Sequence, residues 1–154
     1  MAPDGIRIAH PEKHFIDGQW VLPARGGTIE IVSPNSEEIV ARVAEATNED
    51  MDQAVAAARR AFDKGEWTRL SPAARGAFVR RWAAILGERI GELSASWTAQ
   101  VGGLASFSPI MHGGGVATVE FIASLADSYP FVERRPSSQV DTAIVVREPV
   151  GVTV

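Results

Sequence analysis

The chain has 154 residues, 45% of them hydrophobic and 22% charged, the proportions of a soluble protein with material for one domain-sized core. Its 15 basic residues are dispersed among 19 acidic ones, for a formal net charge of −4, and no basic stripe is present that could neutralise a run of phosphates, which argues against nucleic acid as a partner. The absence of cysteine excludes disulfides, cysteine-ligated zinc and thiol nucleophiles from these residues.

Residues 1–13 are polar and aperiodic and are expected to form a loose arm. In Phe15-Ile16-Asp17-Gly18-Gln19-Trp20-Val21, Asp-Gly separates two apolar segments as a two-residue turn with positive φ requires, so a β-hairpin is expected. Thr28 to Val32 alternates with period two, Ser33-Pro34-Asn35-Ser36 supplies turn chemistry, and Glu38 to Val43 completes a second antiparallel pair.

Thr47 is suited to cap a helix with Glu49 and Asp50 in its first turn and Met51, Val55, Ala58 and Phe62 along one apolar face, ended by Gly65. Ser71-Pro72 starts a second helix carrying Phe78, Trp82, Ile85, Leu86, Ile90 and Leu93, with a bend or split expected near Gly87 and Gly91. A third helix is predicted from Val116 to Leu125, between Gly113-Gly114-Gly115 and Tyr129-Pro130, and its near-uniform apolarity predicts burial on most sides. Phe131 to Gln139, charged and containing a proline, reads as a connection, and Val140 to Val146 as a strand. The last five residues, Val150 to Val154, form a strand-like apolar run with no turn after them, from which a truncated unit is expected.

The uncharged stretch Val101 to Val119 contains five glycines and a proline and does not provide the roughly 20-residue apolar helix that spans a bilayer. The first ten residues lack a basic region followed by an apolar run, so a cytoplasmic protein with no membrane partner is expected.

Each candidate site has an ordinary structural reading beside it. Gly113-Gly114-Gly115 is followed by Val116-Ala117-Thr118 rather than glycine-lysine-serine/threonine, so a flexible lead into the helix is preferred to a phosphate cradle. His10, His14 and His112 lack the spacing with carboxylates that zinc or iron sites use. His112 with Ser106 or Ser108 has the residue types of a base and nucleophile, but the strained glycine-x-serine-x-glycine elbow is missing, which disfavours a hydrolase. Among Trp20, Trp67, Trp82 and Trp97, core packing is the default for Trp82 and Trp97. The Arg80-Arg81 and Arg134-Arg135 pairs read as solvated faces, with binding of an adenosine phosphate or of a partner's carboxylates as the alternative.

Three stretches taken together resemble the N-terminal portion of the NAD(P)-dependent aldehyde dehydrogenase superfamily. Phe15 to Trp20 followed by Ile31 to Val43 is similar to that family's first hairpin and its Asn-Pro-x-Thr-Gly-Glu-x-Ile strand pair; Asp52 to Phe62, Trp67 and Ser71 to Arg75 are similar to its first helices; Arg147 to Val152 is similar to the strand leading into its nucleotide-binding region. The resemblance implies an α/β fold in which the Rossmann-like sheet is incomplete, with β-hairpins, about three helices and one oligomerisation-type strand. It implies residues 14–130 as the N-terminal part of the coenzyme-binding domain and residues 131–154 as that strand plus a truncated lead-in to the nucleotide-binding region.

The family's chemistry, by the same resemblance, uses a cysteine thiolate against the aldehyde, hydride transfer to NAD or NADP, and a glutamate base for thioester hydrolysis. No cysteine is present, and the resemblance transfers no catalytic, cofactor-binding or metal-ligating residue to this chain. Gln100 stands where relatives often carry a carboxylate associated with a monovalent cation. The chain alone is therefore expected to be inactive and to bind no coenzyme. The alternative is a short non-catalytic protein that pairs through Val140 to Val146 with itself or with a full-length relative. Domains are stable by about 5–15 kcal/mol and a buried Leu, Ile or Phe contributes about 1.5–3 kcal/mol, so about five such side chains left bare would make the isolated chain marginal.

Overall fold

A computed structural model describes residues 8–154. Residues 1–7 of the expected loose arm lie outside the described residues. The elements in chain order are β1 (His14–Ile16), β2 (Gln19–Val21), β3 (Thr28–Val32), β4 (Ile39–Ala44), α1 (Asn48–Lys64), α2 (Pro72–Glu88), α3 (Ile90–Val101), α4 (Ser108–Leu125), β5 (Val132–Arg135) and β6 (Ala143–Val146), with a short 3-10 turn at Trp67–Arg69. Among the described residues each strand pairs only with a neighbour in sequence, giving three separate antiparallel ribbons, β1-β2, β3-β4 and β5-β6.

The first hairpin turns at Asp17 and Gly18, with φ of 54° and 77°, the doubly positive conformation that a two-residue loop needs to match strand twist. β3 and β4 pair from Thr28↔Ala44 to Val32↔Ile39, with an irregularity between Ile31 and Val32. The chain before β1 is tied to this ribbon, because the N–H of Ala44 donates to the carbonyl of Pro11 at 2.7 Å.

α1 begins as its sequence predicts. The Thr47 hydroxyl accepts from the Asp50 N–H while the Asp50 carboxylate accepts from the Thr47 N–H, satisfying two backbone donors that the helix itself leaves open. The second predicted helix is two, α2 and α3, broken at Arg89 between the two glycines that suggested a split. The described residues therefore hold four α-helices. α3 ends at Gly102, whose φ of 79° is the left-handed conformation of a glycine cap.

Three local expectations are corrected. α4 starts at Ser108 rather than after the glycines, because Pro109 presets the first turn and Gly113, Gly114 and Gly115 are carried inside the helix. Val132 to Arg135, read as part of a connection, pairs as β5 with β6 from Val132↔Val146 to Arg135↔Ala143. A ribbon open to solvent tolerates the charges of Glu133, Arg134 and Arg135, which in the sequence look like a loop signal. Val150 to Val154 forms no strand, since no neighbouring strand among the described residues offers it a ladder.

α2 and α4 pack antiparallel through small residues. A Cβ placed on Gly76 would lie 2.9 Å from the Ala126 Cβ and 3.0 Å from the Ala123 carbonyl, and one on Gly87 would meet Val116 at 3.9 Å. Among the described residues the buried apolar side chains are Val40, Ala57, Ala83 and Ala123, so no leucine, isoleucine or aromatic ring is fully enclosed. The apolar face expected on α1 and the all-round burial expected of the last helix are not realised within this chain: Met51, Phe121 and Ile122 are exposed. The helices supply large side chains, but among the described residues no layer lies over them.

Candidate functional site

The junction of α3 and α4 holds the densest polar cluster around a titratable ring. His112 Nδ1 lies 2.8 Å from the Ser108 carbonyl, 3.3 Å from the Ser108 hydroxyl and 3.4 Å from the Ser94 hydroxyl. A carbonyl oxygen only accepts, so the shortest of these contacts places the proton on Nδ1. The Ser108 hydroxyl donates to the Ser94 carbonyl at 3.3 Å, and Ser108 is completely buried. A serine nucleophile would need its hydroxyl to donate to an unprotonated ring nitrogen. Both protons here are committed to carbonyls instead, and Ser106 sits in the exposed turn before α4. The cluster is a clamp between two helices, closed on its other side by Trp97, whose ring meets His112 edge-on at 6.1 Å and covers Gly103.

Beside this clamp the β3-β4 turn and α3 bound an open cleft of about 630 Å³, lined by Ser33, Asn35, Glu38, Thr98, Ala105 and Pro109 among others. The Thr98 hydroxyl is buried there with no hydrogen-bond partner. Gln100 is not part of the lining; its amide donates to the Ser96 hydroxyl at 2.9 Å. Among the described residues no group of three or more histidine, aspartate or glutamate side chains is placed to hold a metal ion.

The remaining candidates resolve into structural roles. The backbone amides of Gly113, Gly114 and Gly115 lie within α4 and form no loop that could cradle a phosphate. Arg80 reaches across to α4, donating to the Ala123 carbonyl at 3.2 Å and to Asp127 at 3.4 Å, so it is an interhelical tie rather than a solvated face. Arg135 and Arg147 both donate to Glu133, at 2.7 and 2.5 Å, and together they hold its carboxyl below the ordinary glutamate range. The His10 ring lies 4.6 Å from that of Trp20 at the first hairpin, tilted by 48°, and the Nε2 of His14 is buried without a partner. Trp67 meets Phe78 at 6.1 Å. Trp82, for which core packing is the default, is 54% exposed, because it points away from α4.

Asp50, read from the sequence only as an acidic residue in the first turn of α1, also ties a distant loop to that helix. It is buried and accepts from the Ala24 N–H at 2.9 Å, the Thr47 N–H at 2.8 Å and the Thr47 hydroxyl at 2.8 Å. The Thr47 and Ala24 backbone bonds hold its carboxyl below the ordinary aspartate range. Its spacing of three from Thr47 was the available signal for the capping box; its bond to Ala24 had none.

The arrangement thus offers helices with uncovered apolar faces, three ribbons and structural polar clamps, and it matches known proteins through most of its length. The model of the aldehyde dehydrogenase family matches residues 20–154. The geranial dehydrogenase of Castellaniella defragrans is 35% identical over 139 residues, covering 90% of this chain and 29% of that protein. The betaine aldehyde dehydrogenase of Bacillus subtilis is 34% identical over 145 residues, covering 90% and 28%. The crystal structure of Mycobacterium tuberculosis aldehyde dehydrogenase complexed with NAD+ superimposes with a TM-score of 0.81 at 35% identity, over 90% of this chain and 29% of that one. The chain belongs to the aldehyde dehydrogenase family and corresponds to the N-terminal portion of its fold. It spans less than a third of the length of these relatives.

Proposed function

We propose that this chain serves as the N-terminal, non-catalytic portion of an NAD(P)-dependent enzyme that oxidises aldehydes to carboxylic acids, and that by itself it neither binds the coenzyme nor turns over aldehyde. The observation that carries the reading is the match over 90% of the chain to an aldehyde dehydrogenase solved with NAD+, made by residues among which there is no cysteine. Thiolate attack on the carbonyl then has no agent within these residues. In this reading residues 14–130 belong to the periphery of the coenzyme domain, residues 131–154 form the ribbon and the lead-in to the nucleotide region, and the setting is cytoplasmic. No helix among the described residues is long and apolar enough to cross a membrane. The test is an assay of the purified chain with propanal and NAD+ or NADP+. Absence of turnover is expected, and turnover that persists through removal of contaminating enzyme overturns the proposal.

A second reading is favoured by β6, whose Ile144 and Val146 are exposed on a two-stranded ribbon. In it the chain pairs along Val140 to Val146 with a second copy or with a full-length relative. Size-exclusion chromatography with such a relative separates the two readings, since the second requires co-elution.

A further inference from the structure

Asp17 and Gly18 turn the first hairpin, and the same dipeptide holds the reactants of a backbone rearrangement. A peptide nitrogen can attack the side-chain carboxyl of the aspartate before it and close a succinimide ring, and the side chain of the following residue is what ordinarily hinders the approach. Among the described residues aspartate stands at 17, 50, 52, 63, 127 and 141, and only Asp17 precedes a glycine.

The surroundings leave the reaction open at this turn. The Asp17 side chain is 65% exposed. The Gly18 N–H donates to no group among the described residues, and a Cβ on Gly18 would meet nothing within 4 Å, so neither a hydrogen bond nor a neighbouring side chain shields the nitrogen. The other aspartates are placed differently. Asp50, Asp52 and Asp63 lie in α1, where the next amide is tied into the helix, and the N–H of Ser128, after Asp127, donates to the Leu125 carbonyl at 3.1 Å. Asp141 is followed by Thr142, whose branched Cβ crowds the approach.

One contact opposes the reaction. Arg60, on α1, donates from Nη2 to Asp17 Oδ2 at 2.9 Å, an ion pair that joins the hairpin tip to the helix across 43 residues. A carboxyl group loses water readily as the neutral acid and poorly as the anion, and the guanidinium binds the anion and holds it toward α1.

We propose that Asp17 is a site of spontaneous conversion to isoaspartate and that the Arg60 ion pair restrains this conversion in the folded chain. The Gly18 nitrogen forms a bond to Asp17 Cγ; the Cγ–OH bond breaks, and the hydroxyl leaves with the amide proton as water. Water then adds at the main-chain carbonyl of Asp17, the bond from that carbon to the Gly18 nitrogen breaks, and the chain continues through Cγ. No oxidant or reductant takes part, and the product has the mass of the native chain. It carries one more methylene in the backbone of a turn whose residues hold φ of 54° and 77°, so it no longer fits the two-residue loop that joins β1 to β2. The inference is independent of the functional reading above.

The test is to age the purified chain and its Arg60→Ala variant in neutral buffer and to map isoaspartate at Asp17 by electron-transfer fragmentation, which separates the isomers. The expected result is isoaspartate at Asp17 in the unaltered chain and accumulation about two- to fivefold faster in Arg60→Ala, the factor that an exposed ion pair supplies. Sodium chloride at about 1 M, which screens charges over roughly 3 Å, should bring the unaltered chain up to the rate of the variant and leave the variant unchanged. A substitution that merely loosened the hairpin would not make the unaltered chain follow salt in this way. Unfolding both chains in urea should remove the difference between them. Absence of isoaspartate at Asp17 overturns the site. Equal rates in the two folded chains, a rate in the unaltered chain that is indifferent to salt, or a difference that persists in urea overturns the restraint by Arg60.

Discussion

The carboxylate of Asp50 accepts a hydrogen bond from the backbone N–H of Ala24 at 2.9 Å, joining the loop before β3 to the first turn of α1 across 26 residues. The same carboxylate caps α1 through Thr47, so one buried group fixes both the start of a helix and the path of the chain that precedes it. Its folded-state pKa is depressed, so its contribution to stability is fully present above the unfolded-state value and is lost as pH falls through the folded one. Acid titration followed by the NMR shift of the Ala24 amide should therefore show that contact surviving below the pH at which an ordinary aspartate protonates. Asp50→Asn should abolish the dependence and free the loop at neutral pH; an unchanged profile in that variant would assign the dependence elsewhere.

Enlarging the α2-α4 contact should be costly. Ala83 has no exposed surface, and replacing it with leucine forces extra methylenes between backbones that already touch through Gly76 and Ala123. A loss of about 1–3 kcal/mol is expected in urea denaturation followed by circular dichroism. A neutral result would mean that the two helices are not in contact in solution.

Trp82→Ala should behave in the opposite way. A core tryptophan costs about 3–5 kcal/mol when truncated, but surface changes stay within about 0.5 kcal/mol. Trp82 is exposed, so the smaller effect is expected in the isolated chain, with tryptophan emission that is solvent-shifted in the native protein. Loss of cooperative unfolding in the variant would count against the uncovered face.

Gly102→Ala tests the seam between α3 and the β3-β4 turn. The residue has φ of 79°, and an added Cβ would stand 2.8 Å from Pro34 Cγ and 3.2 Å from Asn35 Oδ1. Left-handed backbone alone costs an alanine about 1–2 kcal/mol, and the turn must also shift. A lowered urea midpoint with an unchanged slope is the expected readout.

The parts of the fold legible in the sequence are those written in local chemistry. Asp17-Gly18 dictates its turn, Thr47 and Ser71-Pro72 cap their helices, and Gly87 and Gly91 bracket the break at Arg89. What could not be read depends on neighbours distant in sequence. Whether Val132 to Arg135 pairs is decided by β6, and whether Trp82 is buried is decided by a layer that these residues do not supply. The base-and-nucleophile idea at His112 fails for a similar reason, because the carbonyls of Ser94 and Ser108 claim the protons and a sequence does not show where carbonyls point. Family membership was legible because order and spacing along the whole chain carry it, whereas Asp50's bond to Ala24 has no local signature.

Gly113, Gly114 and Gly115 give α4 two unequal halves. Each glycine costs a helix interior about 1 kcal/mol relative to alanine, and a Cβ at any of the three would meet open space, so no contact within the chain returns that cost. The carboxyl-terminal half is held by Arg80 and the α2 contact, while the amino-terminal half hangs from the His112 clamp. During synthesis α2 leaves the ribosome before its partner helix, whose first residue, Ser108, lies 20 residues beyond the end of α2 at Glu88. Until α4 is made, the polypeptide carries Phe78, Trp82 and Ile85 on a helix that lacks its main packing partner, the kind of transiently exposed apolar surface that favours aggregation.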